Sequence, residues 1–180
     1  MALPADYIGA LGRLADAFAA YEAEAGSVAV LVGGAAAAIH TGGAFMSADF
    51  DIVAAGDEAF ANAMATTGFL RDTAAGHGLG GWYHPDFPAY GVEQVSGGYF
   101  DGKADKERCL RLIVRDGSAI VLPAIEDLIA DRLGQHEVSQ GDASMLEQAK
   151  ALYTIAQGLD LTYLVRRIED EGGNPAHLGL

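Results

Sequence analysis

The chain reads Leu31-Val-Gly-Gly-Ala-Ala-Ala-Ala-Ile-His40 and then, after a short glycine-rich gap, Ser47-Ala-Asp-Phe-Asp-Ile-Val53. The first segment starts with apolar residues typical of a buried strand, and the alanines after Gly33 and Gly34 favour a helix. The second segment alternates polar and apolar residues, as a strand with one buried face does. The sequence therefore predicts a strand, a tight glycine turn into a helix, and a second strand.

Two carboxylates lie on the second predicted strand. Asp49 and Asp51 are two residues apart, so their side chains point to the same side of the strand. The residues between and after them, Phe50 and Ile52, then point toward a core. Carboxylate oxygens are the ligands that hard cations such as Mg²⁺ prefer. The acidic pair therefore has the outline of a metal site.

The two glycines before the helix suit a phosphate. Gly33 and Gly34 carry no side chain, so the backbone can approach a ligand closely. The N-terminus of the helix that follows offers free N–H groups and the positive end of the helix dipole. A nucleoside triphosphate with bound Mg²⁺ satisfies both the glycine turn and the acidic pair.

The composition of the 180-residue chain narrows the class of protein. Its formal net charge of −14 repels phosphate backbones, so we expect no broad nucleic-acid binding and favour a small-molecule or protein partner. The alternative is that the acidity serves solubility alone. The single cysteine, Cys109, excludes an internal disulfide framework. The sequence shows no targeting segment and no membrane-spanning stretch, so we expect a cytoplasmic protein without membrane contact.

Apolar residues at three- and four-residue spacing predict a first helix from Asp6 to Glu24, which Gly26 ends. Short strands and helices follow it in alternation. They are predicted as strand 28–32, helix 35–40, strand 48–54, helix 57–67, a strand beginning at Phe69, strand 82–84, a turn bracketed by Pro85 and Pro88, strand 90–96, and hairpin strands 111–115 and 119–122 joined by Asp116-Gly117.

Helices dominate the C-terminal part. Pro123 opens a predicted helix through Leu133, and two more helices span about 142–157 and 160–171. This order predicts an α/β (α+β) fold, with a mixed sheet flanked by helices and a C-terminal helical cap. We expect a single compact unit, in which residues 1–122 form the α/β core and residues 123–180 form a helical region packed on it.

The order of these motifs resembles the nucleotidyltransferase superfamily, most closely its minimal bacterial members and the toxins of abortive-infection systems. In that family a Gly-Gly or Gly-Ser turn opens a helix, a strand carries Asp-x-Asp, and a third acid lies on a later strand. Gly33 and Gly34 match the turn, Ser47 matches the small hydroxyl residue before the acids, and Asp49 and Asp51 match the acidic pair.

The likeness covers most of the chain, from Val28 to about Leu164. Residues 122–133 are similar to the proline-led helix of the family. Asp142, in the next predicted helix, matches the acid that commonly follows it.

For the third acid we choose Glu93, which lies in the predicted strand 90–96 between apolar residues. A neighbouring position in the sheet would bring it beside the two aspartates. Asp86 and Asp101 are the alternatives. The structural interpretation of Glu93, an outward carboxylate on a solvated strand face, stays open.

The resemblance implies a nucleoside triphosphate as substrate and Mg²⁺ or Mn²⁺ as cofactor, with a nucleoside monophosphate transferred to an unknown small-molecule, protein or RNA acceptor. It implies that Asp49 and Asp51 hold one or two metal ions that bridge the triphosphate oxygens. Glu93 would complete the second metal position and accept or orient the proton of the acceptor hydroxyl. The groups implied to position the phosphates belong to Gly33, Gly34 and Ser47.

The chain departs from the family in its basic residues. The loop 41–46 lacks the arginine often found there, and Arg132 stands where a lysine is usual. The candidates left to neutralise a triphosphate are Lys103, Lys106, Arg111, Arg132 and Lys150. A catalytically inactive nucleotidyltransferase-fold binding module or toxin–antitoxin partner is therefore the alternative to an active enzyme. A domain with no nucleotide site would require the aspartates to lie apart from the glycine turn.

The five histidines and the one cysteine show no paired spacing typical of zinc, so we expect no zinc site. His40 ends the alanine-rich helix. A role as a cation at the helix C-terminus, or as the hydrogen-bond partner of a carbonyl, is favoured there over a role as a catalytic base. His77 and His84 flank Trp82 and Tyr83. These four residues either line a base-binding pocket or form a loop with aromatic rings packed beneath it.

Overall fold

The computed structural model describes residues 2–72, 81–115, 117–139 and 143–180. The predictions at His77, Asp116 and Asp142 fall outside the described residues. Within these ranges the chain forms a five-stranded mixed sheet, a two-stranded hairpin and six α-helices. The predicted fold class, a mixed sheet flanked by helices with a helical C-terminal part, is confirmed.

The helices are α1 (Ala5–Ala25), α2 (Gly33–His40), α3 (Asp57–Thr66), α4 (Ile125–Val138), α5 (Ala143–Ile155) and α6 (Leu161–Asp170). The strands are β1 (Val30–Val32), β2 (Asp49–Val53), β3 (Leu70–Arg71), β4 (Trp82–His84), β5 (Phe87–Ser96), β6 (Leu110–Arg115) and β7 (Ser118–Leu122). Short 3₁₀ turns lie at Tyr99–Gly102, Lys106–Arg108 and Pro175–Leu178.

The order of the larger sheet is β1-β2-β5-β4-β3. Strand β1 runs antiparallel to β2, and β2 runs parallel to β5, while β5, β4 and β3 are antiparallel neighbours. Because β2 and β5 pair directly, the second predicted strand and the strand that carries Glu93 lie side by side at the centre of the sheet.

The main core includes the buried faces of α1 and of the larger sheet, together with residues of β7 and of helices α2 to α6. Helix α1 buries an apolar stripe that includes Tyr7, Leu14 and Tyr21, none of which is exposed to solvent. The helix ends at Gly26, whose φ of +64° places it in the left-handed conformation that glycine adopts without strain. The start, the end and the buried face of this helix agree with the prediction from its spacing.

A buried polar network joins the C-terminal helices to the rest of the molecule. Asp127 of α4 accepts hydrogen bonds from Arg167 Nε at 2.7 Å, Tyr163 Oη at 2.8 Å and Tyr99 Oη at 3.3 Å. Arg167 also donates to Glu171 at 2.6 Å. Asp127 and Arg167 are both fully buried, and a buried charge pair of this kind holds its shape through multiple hydrogen bonds. The network fixes α6 and the residues just after it relative to α4.

The predicted bounds of α4 are wrong at both ends. The helix begins at Ile125 with Ala124 as its N-cap, so Pro123 precedes the cap and is not in the first turn. It also continues to Val138, five residues beyond the predicted end at Leu133. A Cβ at Gly134 would lie 2.5 Å from the carbonyl oxygen of Glu171, so this glycine permits close packing of two backbones inside the fold.

Strand β5 begins at Phe87, three residues before the predicted start. His84 pairs with Phe87 across a tight turn, and the register shifts between Tyr83 and His84. Proline has no backbone N–H to donate a hydrogen bond to a neighbouring strand. Because the pairing of β5 with β2 begins only at Gly91, Pro88 does not need to donate such a bond to β2. The proline therefore lies inside the strand without breaking it.

Among the described residues, no helix has both the length and the apolar character that crossing a membrane requires.

Candidate functional site

The parallel pairing of β2 and β5 sets the position of the three predicted acids. Asp49 lies opposite Gly91, and Asp51 lies opposite Glu93. Register partners on paired strands face the same side of a sheet, so Asp49, Asp51 and Glu93 share one face. Phe50, between the two aspartates, and Ile52, after them, are 1% and 0% exposed, as their alternation with the acids predicts.

The glycine turn lies directly against one of these acids. Val32 pairs with Asp51 across the antiparallel β1–β2 ladder, so the chain leaves β1 beside that carboxylate. Gly33 follows with a φ of +69°. A Cβ built on Gly33 would overlap Asp51 Oδ2 and lie 3.1 Å from its Cγ. A glycine is required here both by the left-handed backbone and by the space that Asp51 fills.

The other predicted phosphate-positioning residues lie close to the same turn. A Cβ at Gly34 would lie 3.1 Å from Ser47 Cβ and 3.2 Å from its Oγ. Ser47 Oγ also lies 3.3 Å from the backbone N–H of Asp49, from which it accepts a hydrogen bond. The structure thus brings Gly33, Gly34, Ser47 and Asp51 to one place, and Asp49 lies two residues along the strand.

These residues open onto a cavity of about 620 Å³. Gly33, Gly34, Ser47 and Asp51 contribute to one part of its wall. Helices α4 and α5 contribute to another part, together with the 3₁₀ turn after β5. The charged residues that line the cavity are Asp51, Asp101, Asp131, Arg132 and Glu171. The large apolar side chains in its wall are Phe45, Met46, Val95, Phe100 and Met145.

The electrostatic environment of Asp51 is unusual. Burial raises the pKa of Asp51 from its ordinary value of 3.8 to about 6, Arg132 opposes the shift, and Asp49, Glu93 and Asp131 add to it. Because burial is the largest cause, the raised pKa means mainly that the ionised carboxylate has lost contact with water. A cation bound beside Asp51 would favour the ionised form.

Arg132 is the one basic side chain among the described residues that line this cavity. It is 4% exposed and donates to Asp131 through Nε at 3.1 Å and through Nη2 at 2.5 Å. Its Nη1 lies 3.5 Å from the sulfur of Met145, and Gln135 also donates to Asp131. The guanidinium is therefore held at the cavity wall with one nitrogen engaged only by a weak acceptor.

Glu93 faces a neighbouring cavity of about 380 Å³ that Arg71 and Trp82 also line. The guanidinium of Arg71 stacks over the ring of Trp82, 4.1 Å from its centroid. A Cβ at Gly81 would lie 3.6 Å from Glu93 Cγ, so this glycine leaves room beside the carboxylate. Glu93 thus lines the second cavity, while its register partner Asp51 lines the first.

The acids supply a donor set that fits Mg²⁺ or Mn²⁺, since all of their ligand atoms are carboxylate oxygens. Within the described ranges, no three His, Cys, Asp or Glu side chains converge closely enough to hold a metal ion. Mg²⁺ commonly takes one or two carboxylates and completes its shell with water and substrate phosphates. Asp49 and Asp51 would leave most of the coordination shell of such an ion open.

The alternatives for the third acid lie elsewhere. Asp86 forms an ion pair with Arg13 at 2.8 Å, and its Oδ2 lies 3.7 Å from His84 Nδ1. Its carboxylate is therefore engaged outside the cavity. Asp101 does line the cavity, in the 3₁₀ turn after β5. Of the three candidates, only Glu93 is the register partner of an acid of β2.

The two described histidines that the sequence singled out lie in packed environments. Burial lowers the pKa of His40, which opposes a role as a cation, and a hydrogen bond to the backbone of Pro123 supplies the predicted carbonyl partner. Burial also lowers the pKa of His84, whose ring packs edge-on against Phe69 with centroids 5.2 Å apart. Aromatic packing therefore accounts for His84.

Two of the basic candidates, Lys103 and Arg111, are engaged outside the cavity. Lys103 donates to the carbonyl of Asp170, and Arg111 pairs with Glu22 at 2.6 Å.

The sequence did not single out four polar residues that line the cavity: Asp131, Gln135, Gln148 and Glu171. Gln135 lies three residues after Arg132 and four residues after Asp131 in α4, and this spacing is the signal that points to Asp131 and Gln135.

No protein-family model and no curated protein sequence matches the chain. Among solved structures, the chain is similar to an antigenic nucleotidyltransferase-like protein from Paracoccidioides brasiliensis, with a TM-score of 0.59 and 12% sequence identity. The match covers 90% of this chain and 87% of that chain. A likeness at this identity shows the fold alone. The mixed sheet and its helices therefore form a nucleotidyltransferase-like fold.

Proposed function

We propose that the chain is a nucleotidyltransferase, which transfers a nucleoside monophosphate from a nucleoside triphosphate to an acceptor hydroxyl with Mg²⁺ or Mn²⁺. The observation that carries this proposal is the contact between the turn at Gly33 and the carboxylate of Asp51, in the wall of a cavity of about 620 Å³. A cavity of this size suits a small-molecule ligand such as a nucleotide. The nucleotidyltransferase-like fold is a second, coarser support.

In this proposal Asp49 and Asp51 hold the metal ion, and Glu93 is the third carboxylate. When bound, the ion supplies positive charge that offsets the negative charge developing on the departing pyrophosphate. Glu93 lies beside Asp51 on β5, where it accepts or orients the proton of the attacking hydroxyl. All three acids come from two hydrogen-bonded strands, so their backbone positions are fixed before substrate binds.

The phosphates are held by the turn and by α2. Gly33 and Gly34 bring backbone close to the ligand, and the first N–H groups of α2 lack intrahelical partners. Ser47 adds a hydroxyl beside Gly34. Arg132, at the cavity wall, is the positive side chain available to a phosphate oxygen.

A specific observation favours the second candidate, a catalytically inactive binding module or toxin–antitoxin partner with the same fold. Four carboxylates but one guanidinium line the cavity among the described residues. A triphosphate without a cation is repelled by such a wall. The two candidates differ in turnover, since only the enzyme releases pyrophosphate.

The test measures pyrophosphate release from each of the four nucleoside triphosphates with Mg²⁺ or Mn²⁺, beside a thermal-shift titration with the same mixtures. The active enzyme releases pyrophosphate, and the variant Asp49→Asn/Asp51→Asn loses both release and the metal-dependent shift in Tm. The matched control is Glu147→Gln, which removes an exposed carboxylate that does not line the cavity. A metal-dependent shift without release would support the binding module. A double variant that responds like the wild type would overturn both candidates.

A further inference from the structure

Strand β6 has one open edge. Among the described residues it pairs only with β7, so the backbone groups on its other side have no partner strand there. An edge of this kind can bind another strand unless charge, proline or a bulge prevents it. The β6–β7 ladder is regular from Leu110 to Ile113, and its register shifts only beyond Ile113, next to the hairpin turn. Four residues of β6 therefore offer a regular edge for pairing.

The apolar face of this hairpin is only half covered. Leu110 is the register partner of Leu122, and Leu112 is that of Ile120. Register partners share one face of a sheet. The two residues of β7 belong to the main core and are 3% and 0% exposed, whereas their partners on β6 are 51% and 40% exposed. The apolar layer thus ends in water at β6, which is unfavourable, and a further apolar strand would extend it.

A groove of about 290 Å³ continues this apolar edge. Val114 of β6 lines it together with residues of the N-terminal half of α1, among them Ile8, Gly9 and Gly12. Ile8 is itself 48% exposed. The two glycines carry no side chains, so an apolar group from a neighbouring strand can approach the backbone of α1 there.

The charges of β6 favour a second copy of the chain over an acidic strand of another protein. Strand β6 carries two arginines and no acidic residue, in a chain whose formal net charge is −14. Two copies that meet at β6 therefore keep their acidic surfaces apart. The guanidinium of Arg111 is already paired with Glu22 at 2.6 Å, so it does not need a carboxylate from another protein.

We propose that this edge binds β6 of a second copy in antiparallel orientation, across a two-fold axis at Leu112, so that the two hairpins form one four-stranded sheet. In this register Leu112 lies opposite Leu112 of the second copy, and Arg111 lies opposite Ile113 of the second copy. Leu110 of the second copy lies opposite Val114, beside the groove.

The neighbouring registers are disfavoured by charge. A two-fold axis at Arg111 would put two copies of this arginine opposite each other, and an axis at Ile113 would put Arg111 opposite position 115, the other arginine of β6. Like charges directly opposite each other destabilise a pair of strands. The axis at Leu112 instead places each Arg111 beside an aliphatic side chain, against which its own aliphatic stem can pack. The sequence of β6 is therefore self-complementary around Leu112.

This inference goes beyond the proposed function and does not depend on it. No residue of β6 lines the 620 Å³ cavity among the residues that the structure describes. The association of two chains can therefore be measured without nucleotide or metal.

The test is sedimentation equilibrium of the full chain from micromolar to millimolar concentration. We expect the wild type to form a dimer that dissociates on dilution. Two variants remove the same apolar side chain: Ile113→Lys places a positive charge opposite Arg111 of the second copy, and Ile113→Glu places a negative charge there. The dissociation constant of Ile113→Lys should exceed that of Ile113→Glu by about tenfold or more, since each dimer contains this pair twice.

The matched control is Val138→Lys, which adds a lysine at a residue of α4 that is 81% exposed and lies outside the hairpin. It should dimerise as the wild type does. Ile113 is 70% exposed, so both of its variants should keep the fold, which circular dichroism and the Tm will show.

Three results would overturn the inference. The first is a wild-type chain that is monomeric at every concentration. The second is a dimer that Ile113→Lys leaves as tight as the wild type, and the third is an equal dissociation constant for the two Ile113 variants. A monomeric chain that binds an acidic strand-forming peptide of alternating valine and glutamate would replace the second copy by a foreign strand.

Discussion

The turn at Gly33 and the carboxylate of Asp51 fill adjoining space, because a Cβ on Gly33 would overlap Asp51 Oδ2. The contact joins the end of β1 to the centre of β2 and closes one side of the cavity. It also makes two separate demands on position 33: a left-handed backbone, with φ at +69°, and the absence of a side chain. These demands can be separated by substitution.

Gly33→Ala should destabilise the fold and impair nucleotide binding. The left-handed backbone alone costs a non-glycine residue about 1–2 kcal/mol. The overlap with Asp51 adds to this cost and displaces the carboxylate. Gly26→Ala is the matched control, since Gly26 has a φ of +64° with no atom near its Cβ position. Urea unfolding should show a larger loss for Gly33→Ala, and equal losses in the two variants would contradict the contact.

Asp51→Asn should stabilise the ligand-free chain at neutral pH. Burial and the nearby carboxylates raise the pKa of Asp51 from 3.8 to about 6, so the folded state holds its proton more tightly than the unfolded state. This favourable contribution is complete below about pH 3.8 and is lost as the pH rises through about 6. Above pH 6 the charged carboxylate therefore costs on the order of 1–3 kcal/mol, which the neutral amide avoids.

The measurement is the Tm of the wild type and of Asp51→Asn from pH 4 to pH 8, without metal. The variant should have the higher Tm at pH 7 to 8, and the difference should shrink toward pH 4. Glu147→Gln serves as the control for loss of an exposed carboxylate. A variant that is less stable than the wild type at pH 8 would show that the ionised side chain is stabilised by its surroundings.

The central part of the fold was predictable because its signals are local. The alternation around Asp49 and Asp51 identified the strand and its buried face, and the left-handed conformation at Gly26 follows from a glycine after an amphipathic stripe. The choice of Glu93 needed a pairing between strands that is not local. The structure places it opposite Asp51.

The residues of the cavity wall were harder to predict from the sequence, because segments that are distant in the chain form the wall. Gln148 and Glu171 are ordinary residues in helical patterns until α5 and α6 are placed around α4. The contact between Gly134 of α4 and the backbone at Glu171 is likewise set by packing between distant segments. Tertiary packing determines such positions, and no periodicity in the chain reports it.

Arg132→Met should weaken nucleotide binding and lower stability together. The substitution removes the basic side chain from the cavity and leaves Asp131, whose side chain is 16% exposed, with only Gln135 as a donor. An unpaired, largely buried carboxylate costs on the order of 2 kcal/mol after allowance for its remaining exposure. Both effects are measured on one sample, by urea unfolding and by titration with a nucleoside triphosphate and Mg²⁺.

The double variant Asp131→Leu/Arg132→Met separates these two effects. Replacing both members of the pair removes the unpaired charge, so stability should return toward the wild type. Nucleotide binding should stay weak, because the guanidinium is still missing. Recovery of binding in the double variant would show that Arg132 acts through the fold and not on the nucleotide.

Glu93→Gln should abolish turnover while nucleotide binding persists. The amide keeps the size of the side chain but cannot accept a proton, and removal of a general base typically lowers kcat by about 10²- to 10⁴-fold. Asp49 and Asp51 stay in place on β2, so the thermal shift with Mg²⁺ and nucleotide should change little. Asp86→Asn is the control, because Asp86 is paired with Arg13 outside the cavity and should leave pyrophosphate release near the wild-type rate. A Glu93→Gln variant that turns over at the wild-type rate would remove Glu93 from the mechanism, and a strong loss in Asp86→Asn would transfer the role of third acid to that residue.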